Sequence, residues 1–343
     1  MDAMSAGVYI LTGYLGSGKT TLLQKLLAYL RKQDGQVVVL MNEMGEEDID
    51  GEQLQGYGFP VKKLLDGCIC CSIQGELTEG LQEILSTINP DHILIETTGV
   101  ADPVDVVDAL THPELYDRME LKGIVSVVDA SRFRDLNSRF QSKSSLVKTI
   151  RNQVKYADLL LLNKSDLVAP DALEKVKAKL VELNPYAPIH VTIQGDMDLD
   201  QLLQVKRIAE KVASERADDR TRGPFVQKSI GKMSAIEKVK QSLGLSASEP
   251  SLYNSIETFS YHFTYPVDPE KFEDFLWDLP KNVYRAKGYV LFKGRDELIS
   301  FQHTDNQVHL FPFENFGPKM VAVFIGEGLD KEKIIRDLEA CYE

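Results

Sequence analysis

The stretch Gly13-Tyr14-Leu15-Gly16-Ser17-Gly18-Lys19-Thr20 decides the reading of this chain. It matches G-x-x-x-x-G-K-[ST], follows the apolar run Val8–Thr12 and opens the helical stretch Lys19–Arg31. In that strand–loop–helix order, glycines let backbone N–H groups turn inward around phosphate oxygens at the positive end of the helix. Gly13, Gly16, Ser17, Gly18, Lys19, Thr20 and Thr21 are therefore the expected phosphate-binding set. Lys19 is expected to reach the β- and γ-phosphates, and the Thr20 hydroxyl to ligate Mg²⁺.

Outward from the loop, apolar runs alternate with helical stretches. Val37–Met41, Val61–Leu64, His92–Glu96, Ile124–Val128, Leu159–Leu162 and Ile189–Thr192 read as strands. Glu76–Thr87, Val147–Tyr156 and Asp171–Leu183 read as helices between them. Continuous apolar runs joined by helices predict a mostly parallel sheet covered on both faces. The character changes near Val212: residues 213–255 are polar and read as a linker with one short helix near Ala235–Leu243. Beyond it, Ile256–Thr264, Tyr289–Phe292, Glu297–Gln302, Val308–Phe313 and Met320–Ile325 read as strands, with helices at Pro269–Leu279 and Lys331–Cys341. The expected organisation is an α/β phosphate-loop domain over 1–212, the linker, and a smaller α+β domain over 256–343.

Two further motifs follow the loop. Asn163-Lys164-Ser165-Asp166 closes the strand Leu159–Leu162. In phosphate-loop GTPases the aspartate of N-K-x-D accepts from guanine N1–H and the exocyclic amine, so Asn163, Lys164 and Asp166 predict GTP rather than ATP. A site built around such acceptors rejects the wrong base because its lone pairs go unsatisfied. Ile93-Leu94-Ile95-Glu96-Thr97-Thr98-Gly99 is an apolar strand ending in a carboxylate and then a glycine. Glu96 is the expected acid that positions metal-bound or attacking water, and Gly99 the expected γ-phosphate sensor. No residue reads as an arginine finger, so unaided hydrolysis is expected to be slow.

Three of the four cysteines, Cys68, Cys70 and Cys71, fall within Gly67-Cys68-Ile69-Cys70-Cys71. Thiolates are soft ligands, suited to Zn²⁺ and Cu⁺ and less exclusively to Co²⁺ or Ni²⁺. With no second pair to complete a four-sulfur site, the cluster predicts an open metal site better suited to loading and release than to holding a fold. Buried small hydrophobes, a redox switch and a metal-free nucleophile are the alternatives.

Together with Asn42-Glu43-Met44-Gly45, these motifs resemble the CobW family of metallochaperone GTPases, relatives of the urease and hydrogenase nickel-accessory GTPases. The resemblance continues into the second domain through Arg285-Ala286-Lys287-Gly288 and Phe324-Ile325-Gly326. It implies a GTPase domain of a class that often works as a nucleotide-bridged homodimer, then a CobW-type C-terminal domain. It also implies a metal site on the three thiolates, with Glu43 linking metal and nucleotide, and a client metalloprotein. Two features depart from the family: no histidine-rich tract is present, and Ser131 follows Val127-Val128-Asp129-Ala130 where a histidine is common.

Composition narrows the partners. The 343 residues carry 39 Lys and Arg against 52 Asp and Glu, a net charge of −13, which argues against nucleic acid or an anionic membrane. No apolar run reaches the ~20 residues of a membrane span, and Met1-Asp2-Ala3-Met4 lacks a signal-peptide layout, so a cytoplasmic location is expected. The combined expectation is a GTP-hydrolysing metallochaperone for Zn²⁺ or Co²⁺; a thiol-regulated GTPase switch and a passive metal buffer are its rivals. Trp277 with Phe272, Phe275, Leu276 and Leu279 reads as a core stripe. His262, His303 and His309 read as packing or surface residues, and Cys341 as structural.

Overall fold

The computed structural model describes residues 5–33, 35–42, 60–64, 72–137, 143–208, 255–304, 307–313 and 319–342. The cysteine cluster, Glu43, residues 213–254 of the expected linker and the Ala235–Leu243 helix lie outside the described residues.

Seven strands build the first sheet: β1 (Ala6–Thr12), β2 (Val37–Asn42), β3 (Val61–Leu64), β4 (His92–Glu96), β5 (Met119–Asp129), β6 (Leu159–Asn163) and β7 (Ile189–Val191). Their order is β3-β2-β4-β1-β5-β6-β7, and every neighbouring pair is parallel. Alternate side chains of a strand point to opposite faces, and here both faces are buried. Val8 and Ile10 pack on one side with Val38, Leu40, Ile93 and Ile95, beneath α2 (Ser72–Thr87) and α3 (Pro103–Leu110). Tyr9 and Leu11 pack on the other with Val39, Leu94 and Val125, beneath Leu22, Leu23 and Leu26 of α1 (Lys19–Leu30). Short α4 (Phe133–Leu136), α5 (Ser144–Lys155) and α6 (Pro170–Leu183) cover the β6 side, and α7 (Leu199–Leu203) follows β7.

The second sheet is antiparallel. β8 (Glu257–His262), β9 (Val283–Leu291), β10 (Leu298–Thr304), β11 (Gln307–Phe313) and β12 (Val321–Gly326) take the order β11-β10-β9-β12-β8. With α8 (Pro269–Trp277) and α9 (Lys331–Glu339) it encloses a core of phenylalanines. Phe259 stacks on Phe324 at 4.9 Å, and Phe272 meets Phe301 edge-on at 5.1 Å. Such pairs add roughly 0.5–1.5 kcal/mol each beyond their buried area. The two units share material, since Ile256 and Ile325 complete the core beneath α2 and α3.

Three details differ from expectation. Trp277 is 55% exposed, because it follows Leu276 by one residue and so turns about 100° off the stripe of Phe272, Phe275 and Leu276. The helix Pro103–Leu110 was not predicted, although Asp102 caps it by accepting from Val104 N and proline occupies its first turn. β9 begins at Val283 rather than Tyr289, because Lys287 and Gly288 extend the ladder despite their weak strand propensity. Of the three strand histidines, His303 is buried and His262 and His309 are exposed, while Cys341 is buried with its thiol donating to Asp337 O.

Candidate functional site

The parallel sheet collects the motif residues at the carboxyl ends of neighbouring strands. β1 ends at Thr12 and opens into the phosphate loop; β4 ends at Glu96, β5 at Asp129 and β6 at Asn163. Registers Leu11↔Glu96, Thr12↔Ser126 and Asp129↔Asn163 place these ends side by side. Strand order reverses around β1, and ligands of open parallel sheets bind at such a reversal.

The loop holds its shape through close backbone approach. Gly13 has φ of 139°, and a Cβ there would lie 2.2 Å from Val127 O, so no other residue fits. Gly18 caps α1, which carries no side-chain cap and no acid in its first turn. The amides of Lys19, Thr20 and Thr21 therefore face outward at the positive helix end, as an anion site requires. The buried Ser17 hydroxyl also has no protein partner. Its unspent hydrogen-bonding capacity and the uncapped amides suit a phosphate group.

Lys19 is buried, and its ammonium donates to Gly13 O at 2.9 Å and Tyr14 O at 3.4 Å. Burial pushes its pKa below the ordinary lysine value, and the Glu96 carboxylate opposes that shift. Thr20 Oγ1 donates to Glu96 Oε1 at 2.9 Å, across 76 residues of sequence. Two hard oxygens converging beside a phosphate loop form the donor set that Mg²⁺ takes. Gly99 lies against the loop from the other side: a Cβ on it would be 2.4 Å from Leu15 N.

At the base end, Asn163 is almost wholly committed to the protein. Its Nδ2 donates to Ser17 O at 2.8 Å, and its Oδ1 accepts from Gly195 N at 2.9 Å and Thr192 Oγ1 at 3.1 Å. It ties the phosphate loop to the loop after β7. Asp166 is exposed beside it. Lys164, with φ of 57°, pairs with Asp129 Oδ2 at 2.8 Å. Hydrogen bonds from Lys164 and Ser131 outweigh burial and hold the Asp129 carboxyl below its ordinary pKa.

Residues 7–191 match the nucleotide-binding domain described as CobW/HypB/UreG, and residues 256–342 match the cobalamin synthesis protein cobW C-terminal domain. The chain belongs to this family. Among its relatives, the zinc chaperone YjiA of Escherichia coli (strain K12) is 30% identical over 95% of this chain and 96% of its own length. The zinc-regulated GTPase metalloprotein activator 1 of Schizosaccharomyces pombe is 33% identical over 56% of this chain and 46% of its own. The crystal structure of Zn(II)-bound YjiA GTPase from E. coli is 24% identical, covers 99% of each chain and has a TM-score of 0.45.

The structure thus brings Gly13, Gly16, Ser17, Gly18, Lys19, Thr20, Glu96, Gly99, Asn163, Lys164 and Asp166 to one sheet end. Among the described residues, no group of three or more His, Cys, Asp or Glu could hold a metal ion, and no helix is long and apolar enough to cross a membrane. Cys68, Cys70, Cys71 and Glu43 lie outside those residues. Sequence reasoning missed Thr192, Gly195 and Gln153. The left-handed Gln194 before Gly195 marks a special turn, but its role depends on Asn163, 32 residues away.

Proposed function

We propose that this chain is a GTP-hydrolysing metallochaperone that binds a transition metal, Zn²⁺ first and Co²⁺ second, and delivers it to a client metalloprotein. The observation that carries the nucleotide half is the Thr20–Glu96 contact beside an uncapped helix end and a buried lysine. Lys19 and the loop amides hold phosphate oxygens, Glu96 orients water, the Gly99 backbone meets the γ-phosphate, and Asp166 reads guanine. Thr20, with Glu96 acting through water, would hold Mg²⁺, which would supply positive charge to the transferring phosphoryl group.

The metal half rests on the Cys68-Ile69-Cys70-Cys71 cluster, joined by Glu43, and on the zinc chaperone that matches nearly the whole chain. Both groups fall in sequence between the loop and Glu96, so nucleotide state and metal affinity are coupled. A nucleotide-dependent homodimer and a cytoplasmic location complete the reading.

Metal titration under reducing conditions tests it. With GTP and Mg²⁺, Zn²⁺ should bind about tenfold tighter than with GDP, and by linkage the metal should tighten GTP equally. Cobalt gives a direct readout through its thiolate charge-transfer band, which Cys70→Ala with Cys71→Ala should remove while GTP still binds. Equal metal affinity in both nucleotide states would leave no nucleotide-gated delivery. Anaerobically purified protein that takes up no metal would instead favour a thiol-regulated switch.

A further inference from the structure

The segment between Gly99 and Asp102 leads away from the expected γ-phosphate position, and two neighbouring side chains of α5 hold it. Gln153, on α5 and 2% exposed, donates through Nε2 to Gly99 O at 3.2 Å and Ala101 O at 3.1 Å. Asn152 beside it donates to Asp102 Oδ2 at 2.6 Å, and the other Asp102 oxygen accepts from Val104 N. One turn of α5 therefore fixes the peptide planes that follow Gly99.

Both elements at this segment run on into the antiparallel domain. After Gln153, α5 reaches Lys155 and Tyr156, which both bond to Glu327 beyond β12. After Asp102, α3 presents Asp105 and Asp108 to β9. Arg285 meets Asp105 at 3.0 Å and Asp108 at 3.4 Å, and Lys287 meets Asp108 at 2.8 Å. The Lys287–Asp108 pair is buried on both sides, and Lys287 also donates to Asp108 O. Buried Asp108 is held by both cations and ties α3 to β9, and losing Lys287 would leave it to the more distant Arg285.

We propose that Gln153 and the Asp108–Lys287 pair are positioning residues for Gly99. Through α5 and α3, the C-terminal domain holds Gly99 against the phosphate loop and so sets how strongly the protein prefers GTP to GDP. The inference rests on the GTPase reading above. GDP has no γ-phosphate to meet Gly99, and Gln153 spends its amide donor on Gly99 O and Ala101 O. Loss of the positioning residues should therefore fall mainly on the triphosphate.

The test uses the full chain with a fluorescent GDP and a non-hydrolysable GTP analogue. Gln153→Leu keeps the size and removes the donor. It should weaken the GTP analogue by about tenfold, within the usual range of coupling between sites, and leave GDP within about twofold. Under turnover, kcat should fall more than KM rises. Lys287→Met should lower the same preference from the far side of the interface. Should that variant fail to fold, Arg285→Gln, whose side chain is 29% exposed, reads the same coupling with a smaller loss. A folded Gln153→Leu protein that keeps the wild-type preference, or that weakens both nucleotides equally, overturns the inference. Wild type that binds neither nucleotide overturns the GTPase reading, and this inference with it.

Discussion

The two sheets put their chemistry in different places. In the parallel sheet every strand runs the same way, so the carboxyl ends gather at one edge, and Thr12, Glu96, Asp129 and Asn163 meet there. In the antiparallel sheet the strand ends alternate and no such edge exists. Its β9 instead carries charged side chains across the domain boundary, where Arg285 and Lys287 meet Asp105 and Asp108. Parallel strands concentrate backbone ends for a ligand; antiparallel strands offer a patterned surface for gripping another domain.

The largest effect that could break this contrast is in the phenylalanine core. Phe324 is fully buried and stacked on Phe259, so Phe324→Ala should cost about 3–5 kcal/mol. Urea unfolding followed by the single tryptophan, Trp277 on α8, reports the antiparallel unit, and bound fluorescent GDP reports the parallel one. Both transitions should move together, because the units share Ile256, Ile325 and the Lys287–Asp108 pair. A tryptophan transition that shifts alone would make the sheets independent.

Next in size, Lys19→Ala removes the only buried cation of the phosphate loop among the described residues. It should lower GTP turnover by roughly a hundredfold to a thousandfold, the scale of losing a preorganised charge partner. Phosphate release measures it, and unchanged turnover would remove the chemistry from the parallel edge. Asp166→Asn is smaller, about 1–3 kcal/mol of GTP affinity for one lost acceptor pair. Xanthosine triphosphate should then bind better than GTP, because its 2-oxo group accepts from the new amide; competition binding decides.

The smallest effect sharpens the interface. His112 follows α3, and burial and then the Lys287 charge lower its pKa to about 4, with Asp108 opposing. The folded protein thus refuses a proton that the unfolded chain takes below about pH 6.5. The stability held by neutral His112 is complete above that pH and declines as the pH falls towards 4, by at most about 1 kcal/mol per unit. His112→Gln should flatten the urea midpoint between pH 6.5 and 4.5, and an unchanged slope would place His112 outside the coupled interface.

Much of the parallel unit was legible because its signals are local. Several strands, such as Val8–Thr12, Val37–Met41 and Leu159–Leu162, are almost wholly apolar runs, and the phosphate loop carries its glycines, lysine and threonine within eight positions. Sequence by itself therefore determined the α/β class, the nucleotide motifs and the family. Only tertiary structure decided that Asn163 is spent on Ser17, Thr192 and Gly195, that Gln153 supports Gly99, that Trp277 turns outward, and that Lys287 ends on Asp108. The reason is distance along the chain. A motif works through backbone geometry that a few neighbours determine, whereas a buried amide or ion pair takes its meaning from a partner 29, 54 or 179 residues away.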